Sequence, residues 1–395
     1  MPPSSNGLVV VHVITDLMIV GGAEQMLLKL THVLPGLGIR MSVVSLGGLG
    51  ELGAAIEKVG VPVRPLQVRS PRHLPSAVVA LAREIRARDA DIVQTWLYHG
   101  DFVGTIANVL AGRRTLVWNI RCSDIDLDID NKTTALIRRM LARASPLPNL
   151  IIANSYAGLE AHRALGYRPR SELIIPNGFD GTVFRPDPEA RARIRAELCV
   201  GPNQSLIGMA ARVAPMKDHD GFLQAARELA REREDVVFAL AGAGTEPDSA
   251  LAARASALGL TNHVRMLGKR ADMAQVFAAI DVATLSSAHG EGFPNVLGEA
   301  MSCGIPCVAT DVGDAAIIVR DTGIIVPPQS PQALAQAWRN MIDLDVNERR
   351  ALGLAARTHI LKYYEITSVA RQYAEAYRRL AARKSMASDH CCPVD

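Results

Sequence analysis

Short apolar runs rich in Val, Ile and Leu alternate along the chain with longer stretches in which apolar residues recur every three or four positions. The first pattern predicts buried strands and the second amphipathic helices. Strands are predicted at 8–14, 41–46, 61–66, 91–95, 116–120, 150–154 and 171–175. Helices are predicted from the glycine pair at 21–22 to about 34, and at 52–59, 75–88 and 132–144, with Ser155 as a cap for another. Arg83, Arg86 and Arg88 fall near the end of the helix at 75–88, where the helix dipole favours cations. Clusters of Pro and Gly at 176–180 and 184–188 then break the pattern and mark a boundary. Further strands are predicted at 205–211, 236–240, 264–267, 282–285 and 324–326, and helices at 295–303, 331–343, 347–363 and 366–382. Strands alternating with helices predict an α/β protein of two doubly wound, Rossmann-like domains facing a cleft, 1–178 and 179–365. The helix at 366–382 is expected to cross back to the first domain, and 384–395 to form a mobile tail.

Composition agrees with that size. The chain has 395 residues, enough for two ordinary domains, and its 49% apolar and 21% charged residues are those of a globular protein. No apolar run approaches the roughly 18 residues that span a bilayer. The N-terminal segment has no basic region before its first apolar run, so no signal peptide is expected. Six scattered cysteines fit a reducing compartment, and the expected location is the cytoplasm. Net charge divides unevenly. Residues 1–178 carry 19 Lys/Arg against 14 Asp/Glu, while the rest carry 24 against 26. The basic half admits peripheral contact with the inner face of a membrane through the first domain. Nothing points to nucleic acid.

The stretch with the most chemistry is His289-Gly-Glu-Gly-Phe-Pro-Asn-Val-Leu-Gly-Glu299, which follows a predicted strand and turns helical at Asn295. Gly290 and Gly292 permit close backbone approach to a ligand. The amides of Asn295, Val296 and Leu297 would face out of a helix N-terminus, a place that welcomes anions. Two carboxylates, Glu291 and Glu299, stand beside it. Such an arrangement suits a phosphorylated polyol such as a nucleotide sugar. Arg212 and Lys217 lie at the end of another predicted strand and could converge on a diphosphate. Gly21 and Gly22 repeat the strand, glycine turn and helix start. His99 lies at the end of a strand too, where open α/β sheets bind ligands.

Glu291-x7-Glu299, in the setting EGFPNVLGEAMSCGIPCVATDVGD, resembles the signature of the retaining glycosyltransferases of family 4, which have the GT-B fold. The likeness is strongest over 205–330 and weakest over 60–135. It implies that Gly21 and Gly22 touch the donor phosphates, and that Gly242 lies in a loop near the donor. Lys269 and Arg270 would belong to the segment that contacts the base. Gly292, Phe293, Pro294, Asn295, Val296 and Leu297 would line the donor, with Glu299 accepting from ribose hydroxyls and Glu291 from the donor sugar. His99 would contact the sugar, in a region where the family's earlier histidine is replaced by Gln94 or Trp96. The sequences PNGFD and FRPD resemble the interdomain hinge.

The implied reaction moves a sugar from a nucleoside diphosphate, UDP foremost, to a hydroxyl with retention of configuration. The acceptor is a glycan, a lipid-linked sugar or a small molecule. Arg212 and Lys217 would stabilise the leaving diphosphate, so no metal or other cofactor is expected. The alternating acids Asp124, Asp126, Asp128 and Asp130 fail the calcium-loop pattern, because Ile129 and Ala135 stand where Gly and an acid are required. Cys303 and Cys307 lack neighbouring partners and read as buried apolar side chains. Gly242-Ala-Gly244 is too incomplete for a dinucleotide fingerprint. Two other readings share the fold: a catalytically silent nucleotide-sugar-binding scaffold, and a sugar-nucleotide epimerase.

Overall fold

In the computed structural model of the chain, which describes residues 7–18, 21–121 and 132–389, the apolar runs of the first half pair as one parallel sheet. Its strands are β1 (Leu8–Ile14), β2 (Ile39–Ser45), β3 (Val63–Pro65), β4 (Ile92–Trp96), β5 (Thr115–Ile120), β6 (Leu150–Ala153) and β7 (Glu172–Ile174). They lie in the order β3-β2-β1-β4-β5-β6-β7. The helices between them are α1 (Gly22–Val33), α2 (Gly50–Lys58), α3 (Leu74–Ala87), α4 (Leu97–Leu110), α5 (Lys132–Ala144) and α6 (Tyr156–Ala164). Strands β1, β2, β4 and β5 are buried almost throughout, as a sheet covered on both faces requires.

The second half repeats the plan. Strands β8 (Ser205–Ala210), β9 (Val236–Ala241), β10 (Val264–Gly268), β11 (Val282–Leu285), β12 (Cys307–Thr310) and β13 (Gly323–Val326) form a parallel sheet in the order β10-β9-β8-β11-β12-β13. Around it pack α7 (Pro188–Glu197), α8 (His219–Ala230), α9 (Ala250–Ala257), α10 (Met273–Ala279), α11 (Asn295–Ser302), α12 (Ala315–Val319), α13 (Pro331–Asp343) and α14 (Val346–Tyr363). A last helix, α15 (Ile366–Asp389), belongs to the first unit. That unit holds the chain up to Gly178 and from Ile366 onward, and the second unit is Phe179–Glu365. Val369, Ala370, Tyr373 and Tyr377 of α15 are buried in one core with Val10 and Ile14 of β1 and Leu27 and Leu30 of α1. Within the second unit the two ends of the chain lie side by side. The Phe179 amide donates to the Tyr364 carbonyl at 2.8 Å, and Phe179 bridges Glu365.

Two expectations need correction. Helix α7 begins at Pro188, within the Pro and Gly cluster at 184–188 read as a break. Pro188 occupies its first turn, where no amide is needed, and Asp187 caps it by accepting from the Ala190 amide at 2.9 Å. Helix α15 also runs past Ala382 to Asp389, into the stretch read as tail, because no Gly or Pro stops it. Residues 390–395 lie outside the described residues.

Phe179 is fully buried and stacks on Phe293 with ring centroids 6.1 Å apart. A Cβ at Gly298 on α11 would stand 2.1 Å from Phe179 Cζ. Gly298→Ala is therefore expected to destabilise the second unit by about 1–3 kcal/mol, the usual cost of overpacking, read as a lower urea midpoint of that unit's transition.

Candidate functional site

In each sheet the connections leave two neighbouring strands in opposite directions, at β1/β4 and at β8/β11, and the crevice beyond their carboxyl ends is where such sheets bind ligands. In the second unit the loops after β8 and β11 meet there. The Ala288 amide donates to the Met216 carbonyl at 2.8 Å, and Ser286 Oγ donates to the Lys217 carbonyl at 2.9 Å. Lys217 Nζ forms an ion pair with Glu291 Oε1, which also accepts from Ser287 Oγ at 2.5 Å. Both partners are largely buried, with side-chain exposures of 18% and 8%. Arg212, on the same loop as Lys217, is exposed.

The Glu291 loop is braced from behind. Gly290 has φ +77° and Gly313 φ +62°, and a Cβ on Gly313 would lie 2.3 Å from the Glu291 carbonyl oxygen. The Asp314 amide donates to the Gly292 carbonyl at 2.9 Å, and Thr310 Oγ1 to the Ser287 carbonyl at 2.7 Å. Phe293 is buried against Phe179 and Tyr364. Pro294 caps α11, whose first turn carries no acid. The anion end is smaller than its sequence suggests. The Leu297 amide donates to the Pro294 carbonyl at 3.2 Å and is already used within the turn, while the Leu297 side chain sits in the core. Asn295, Val296 and Glu299 are half-buried.

Gly242 has φ +140°, and a Cβ there would lie 2.2 Å from the Ala211 carbonyl oxygen, so only glycine lets the loop after β9 press against the loop after β8. Its amide donates to the Gly268 carbonyl at 2.8 Å, which ties in the end of β10. Lys269 is exposed. Arg270 is committed elsewhere: it binds Asp272 at 2.7 and 2.8 Å and pairs with Glu197, and these carboxylates raise its pKa. Only its backbone remains for a base contact. A cavity of about 730 Å³ also opens in this unit, but it is lined by Ser205, Asp281 and Pro306, at the amino ends of the strands and away from these loops.

In the first unit, Leu97, the first residue of α4, adopts φ +67° directly after β4, and His99 follows in the same turn. His99 is half-buried, and desolvation lowers its pKa, which keeps the ring neutral at pH 7. The alternative positions point inward: Gln94 accepts from Tyr377 Oη, and Trp96 Nε1 donates to His12 Nδ1 at 3.1 Å. Gly21 is the N-cap of α1 and Gly22 its exposed first residue. Glu24 folds back over this end, so that a Cβ on Gly21 would meet Glu24 Oε2 at 2.6 Å. A phosphate at α1 would have to share the helix end with that carboxyl. Burial raises the Glu24 pKa, opposed by amide hydrogen bonds and by Arg121.

Three groups went unnoticed in the sequence. Ser287 holds Glu291. Arg121, at the carboxyl end of β5, bonds Asn177 Oδ1 at 2.6 Å and Tyr373 Oη at 3.4 Å and lies over the Trp96 ring. Asp101 is buried under the His99 turn, where it accepts from Thr95 Oγ1 at 2.5 Å. Strand-end position alone could have flagged Arg121. Among the described residues, no three His, Cys, Asp or Glu side chains gather as a metal site. The acids at 124–130 lie outside those residues. Cys303 and Cys307 are both buried, and burial pushes the Cys303 thiol up to about 12.

The family model described as Glycosyl transferases group 1 matches residues 204–343, and that of Glycosyltransferase Family 4 matches 20–182. The chain belongs to glycosyltransferase family 4. Its relatives include a D-inositol 3-phosphate glycosyltransferase of Kineococcus radiotolerans, 33% identical over 211 residues, which are 48% of each chain. The match thus spans about half the length of that relative. A protein of the same description from Nocardioides is 25% identical over 402 residues, covering 92% of this family 4 chain and 86% of the other. Among solved structures, Anabaena Alr3699/HepE in complex with UDP is 25% identical with a TM-score of 0.82, covering 94% of this chain and 100% of that one. The same protein with UDP-glucose is 26% identical with a TM-score of 0.80, covering 94% and 99%. The two parallel-sheet units of this family 4 member are therefore those of the GT-B fold.

Burial pushes the Asp101 carboxyl up to about 8. An acid whose folded pKa is raised gives stability in full below its ordinary pKa of about 4, and loses it as the pH climbs through the folded value. Asp101→Asn should remove this slope. Relative to wild type, the variant's urea midpoint is expected to rise from pH 5 to about pH 8 and to level off above it.

Proposed function

We propose that the chain transfers a sugar from a nucleoside diphosphate, UDP foremost, to an acceptor hydroxyl with retention of configuration. The Lys217–Glu291 pair at the carboxyl ends of β8 and β11 carries this reading. Lys217 is a compact charge on a flexible stem, and a diphosphate would draw it away from Glu291. Glu291, freed from that pair and still held by Ser287, could then accept from a hydroxyl of the donor sugar. Arg212 and the start of α11 would share the negative charge that builds on the leaving group. His99 belongs to the same proposal as a ligand of the donor sugar, as do Gly21, Gly22 and Glu299 in the roles the family resemblance gives them.

Glu291 makes a poor covalent nucleophile, because Ser287 holds its carboxylate and a hydroxyl of the donor sugar would take up what remains. A same-face displacement is the better mechanism: the C1–O bond to the diphosphate breaks, the acceptor oxygen bonds to C1, and the leaving phosphate takes the acceptor proton. The charge set needs no metal, so EDTA should leave the rate unchanged. The uridine donor is supported by Alr3699/HepE, whose structures hold UDP and UDP-glucose. The inositol phosphate relatives put a phosphorylated cyclitol first in an acceptor panel that also holds lipid-linked and oligosaccharide acceptors.

Thermal unfolding in UDP, GDP, ADP and CMP tests the donor. Saturation at about 100 times the dissociation constant adds about 2.7 kcal/mol, a shift of about 5–10 °C for a unit of this size. UDP is expected to give this shift in wild type and little in Lys217→Ala. Loss of the lysine should also cost about 3 kcal/mol in the transition state, roughly a hundredfold in kcat. Stabilisation by UDP with no transfer to any acceptor would favour the silent scaffold. Epimerised donor in an NMR assay without acceptor would favour the epimerase.

A further inference from the structure

Helices α3, α4 and α5 lie side by side on one face of the first unit's sheet, with α4 in the middle. Their inner sides are ordinary core: Leu81 and Ile85, Val103 and Ala107, Ile137 and Leu141. The outer side of α4 is not an ordinary solvated surface. Its exposed residues are Ile106, Val109 and Leu110, all aliphatic. The neighbouring helices add Val79, Leu136 and Met140, and these six side chains are each 39–57% exposed. Large apolar side chains scattered singly are normal, whereas a continuous group on adjacent helices marks a contact.

The exposed charged residues on these three helices all carry one sign. Arg83 and Arg86 stand exposed on α3, Arg139 and Arg143 on α5, and Arg113 just beyond α4. Arg86 donates to the Leu110 carbonyl, which places its guanidinium at the end of the ridge. Among the described side chains of the three helices, no exposed residue is acidic. Glu84 and Asp101 are buried, and Glu84 is neutralised by Arg64 and Arg88. Asp89, after α3, is paired with Arg114. A face tuned only for solubility mixes both signs.

We propose that this face docks on the surface of an anionic lipid bilayer. Aliphatic side chains on a helix can enter the headgroup boundary, while arginine stems lie along it and keep their charges at the phosphates. The exposed apolar residues of the ridge include no Trp, Tyr or Phe, the residues that anchor most protein interfaces. A lone apolar ridge or a lone basic patch holds a membrane weakly, and two signals together hold it firmly. The inference stands apart from the glycosyl-transfer proposal, and it would give that activity a lipid-linked acceptor within reach.

The test is flotation of the full chain with vesicles, which needs no activity. Vesicles of phosphatidylcholine with about a third phosphatidylglycerol should bind the chain at least tenfold more strongly than phosphatidylcholine alone. Raising salt from about 0.1 M to 0.5 M should weaken binding, as screening demands. Val109→Glu with Leu110→Glu should abolish flotation and leave the thermal shift with UDP unchanged. Arg139→Ala with Arg143→Ala, both at exposed positions, should lower binding about tenfold and blunt its salt dependence. Leu354→Glu, an exposed leucine of the second unit, should change nothing. Absent binding, equal binding to both vesicles, or binding indifferent to the α4 variant would overturn the proposal. So would a dimer in sedimentation that the α4 variant splits while vesicles fail to bind, since the face would then be the chain's own interface.

Discussion

Two neighbouring parallel strands that send their connections to opposite faces of a sheet leave a gap that no helix covers. Both units of this chain are organised around such a gap, at β1/β4 and β8/β11. Backbone polar groups and side chains at these strand ends must satisfy one another or a ligand. In the second unit they do so through one charged contact, Lys217 with Glu291, laid across two loops that are already joined by backbone hydrogen bonds. Taking two charges partly out of water has a cost that a pair only just offsets. That balance is what an exchangeable partner requires, since an incoming anion needs to outcompete a single contact rather than break a core.

The support behind this contact is stiff. Gly313 lets a second loop touch the Glu291 backbone, Thr310 and Ser287 hold the strand end, and Phe293 anchors the start of α11 in the aromatic cluster with Phe179 and Tyr364. The first unit is built differently at the same place. Its gap is flanked by buried polar groups, Asp101, Trp96 with His12, and Arg121 with Tyr373, and Glu24 occupies the helix end that the glycine pair opens. One unit thus presents a largely buried ion pair across two loops, and the other an imidazole above a fixed polar layer.

Much of this was readable in the sequence because it is local. Strand, glycine turn and helix start follow one another within a dozen residues around Glu291, and the spacing of Arg212 and Lys217 lies within one loop. The helix at 188–197 was hidden because Pro188, taken for a breaker, is welcome in a first turn. The roles of Arg121 and Asp101 were hidden for a different reason. Arg121 meets Tyr373 across 252 positions of sequence, and the burial of Asp101 depends on the packing of β4 and α4. The commitment of Arg270 to Glu197 likewise joins residues 73 apart. The Leu297 amide shows the limit of motif reasoning, since one turn of tighter helix consumed a donor that the pattern left open.

Helix α15 has a consequence for how the chain is made. It is the last described element, yet its tyrosines fill a core that β1 begins. A ribosome adds roughly 5–20 residues per second, so this core waits for its cover until the final helix emerges. The second unit, with both its ends held together at Phe179 and Tyr364, is a continuous insertion and has all its own residues in hand first. The order of folding during synthesis therefore inverts the order of the sequence. The half that starts the chain is the half that finishes last, and its apolar face is the one a chaperone would meet.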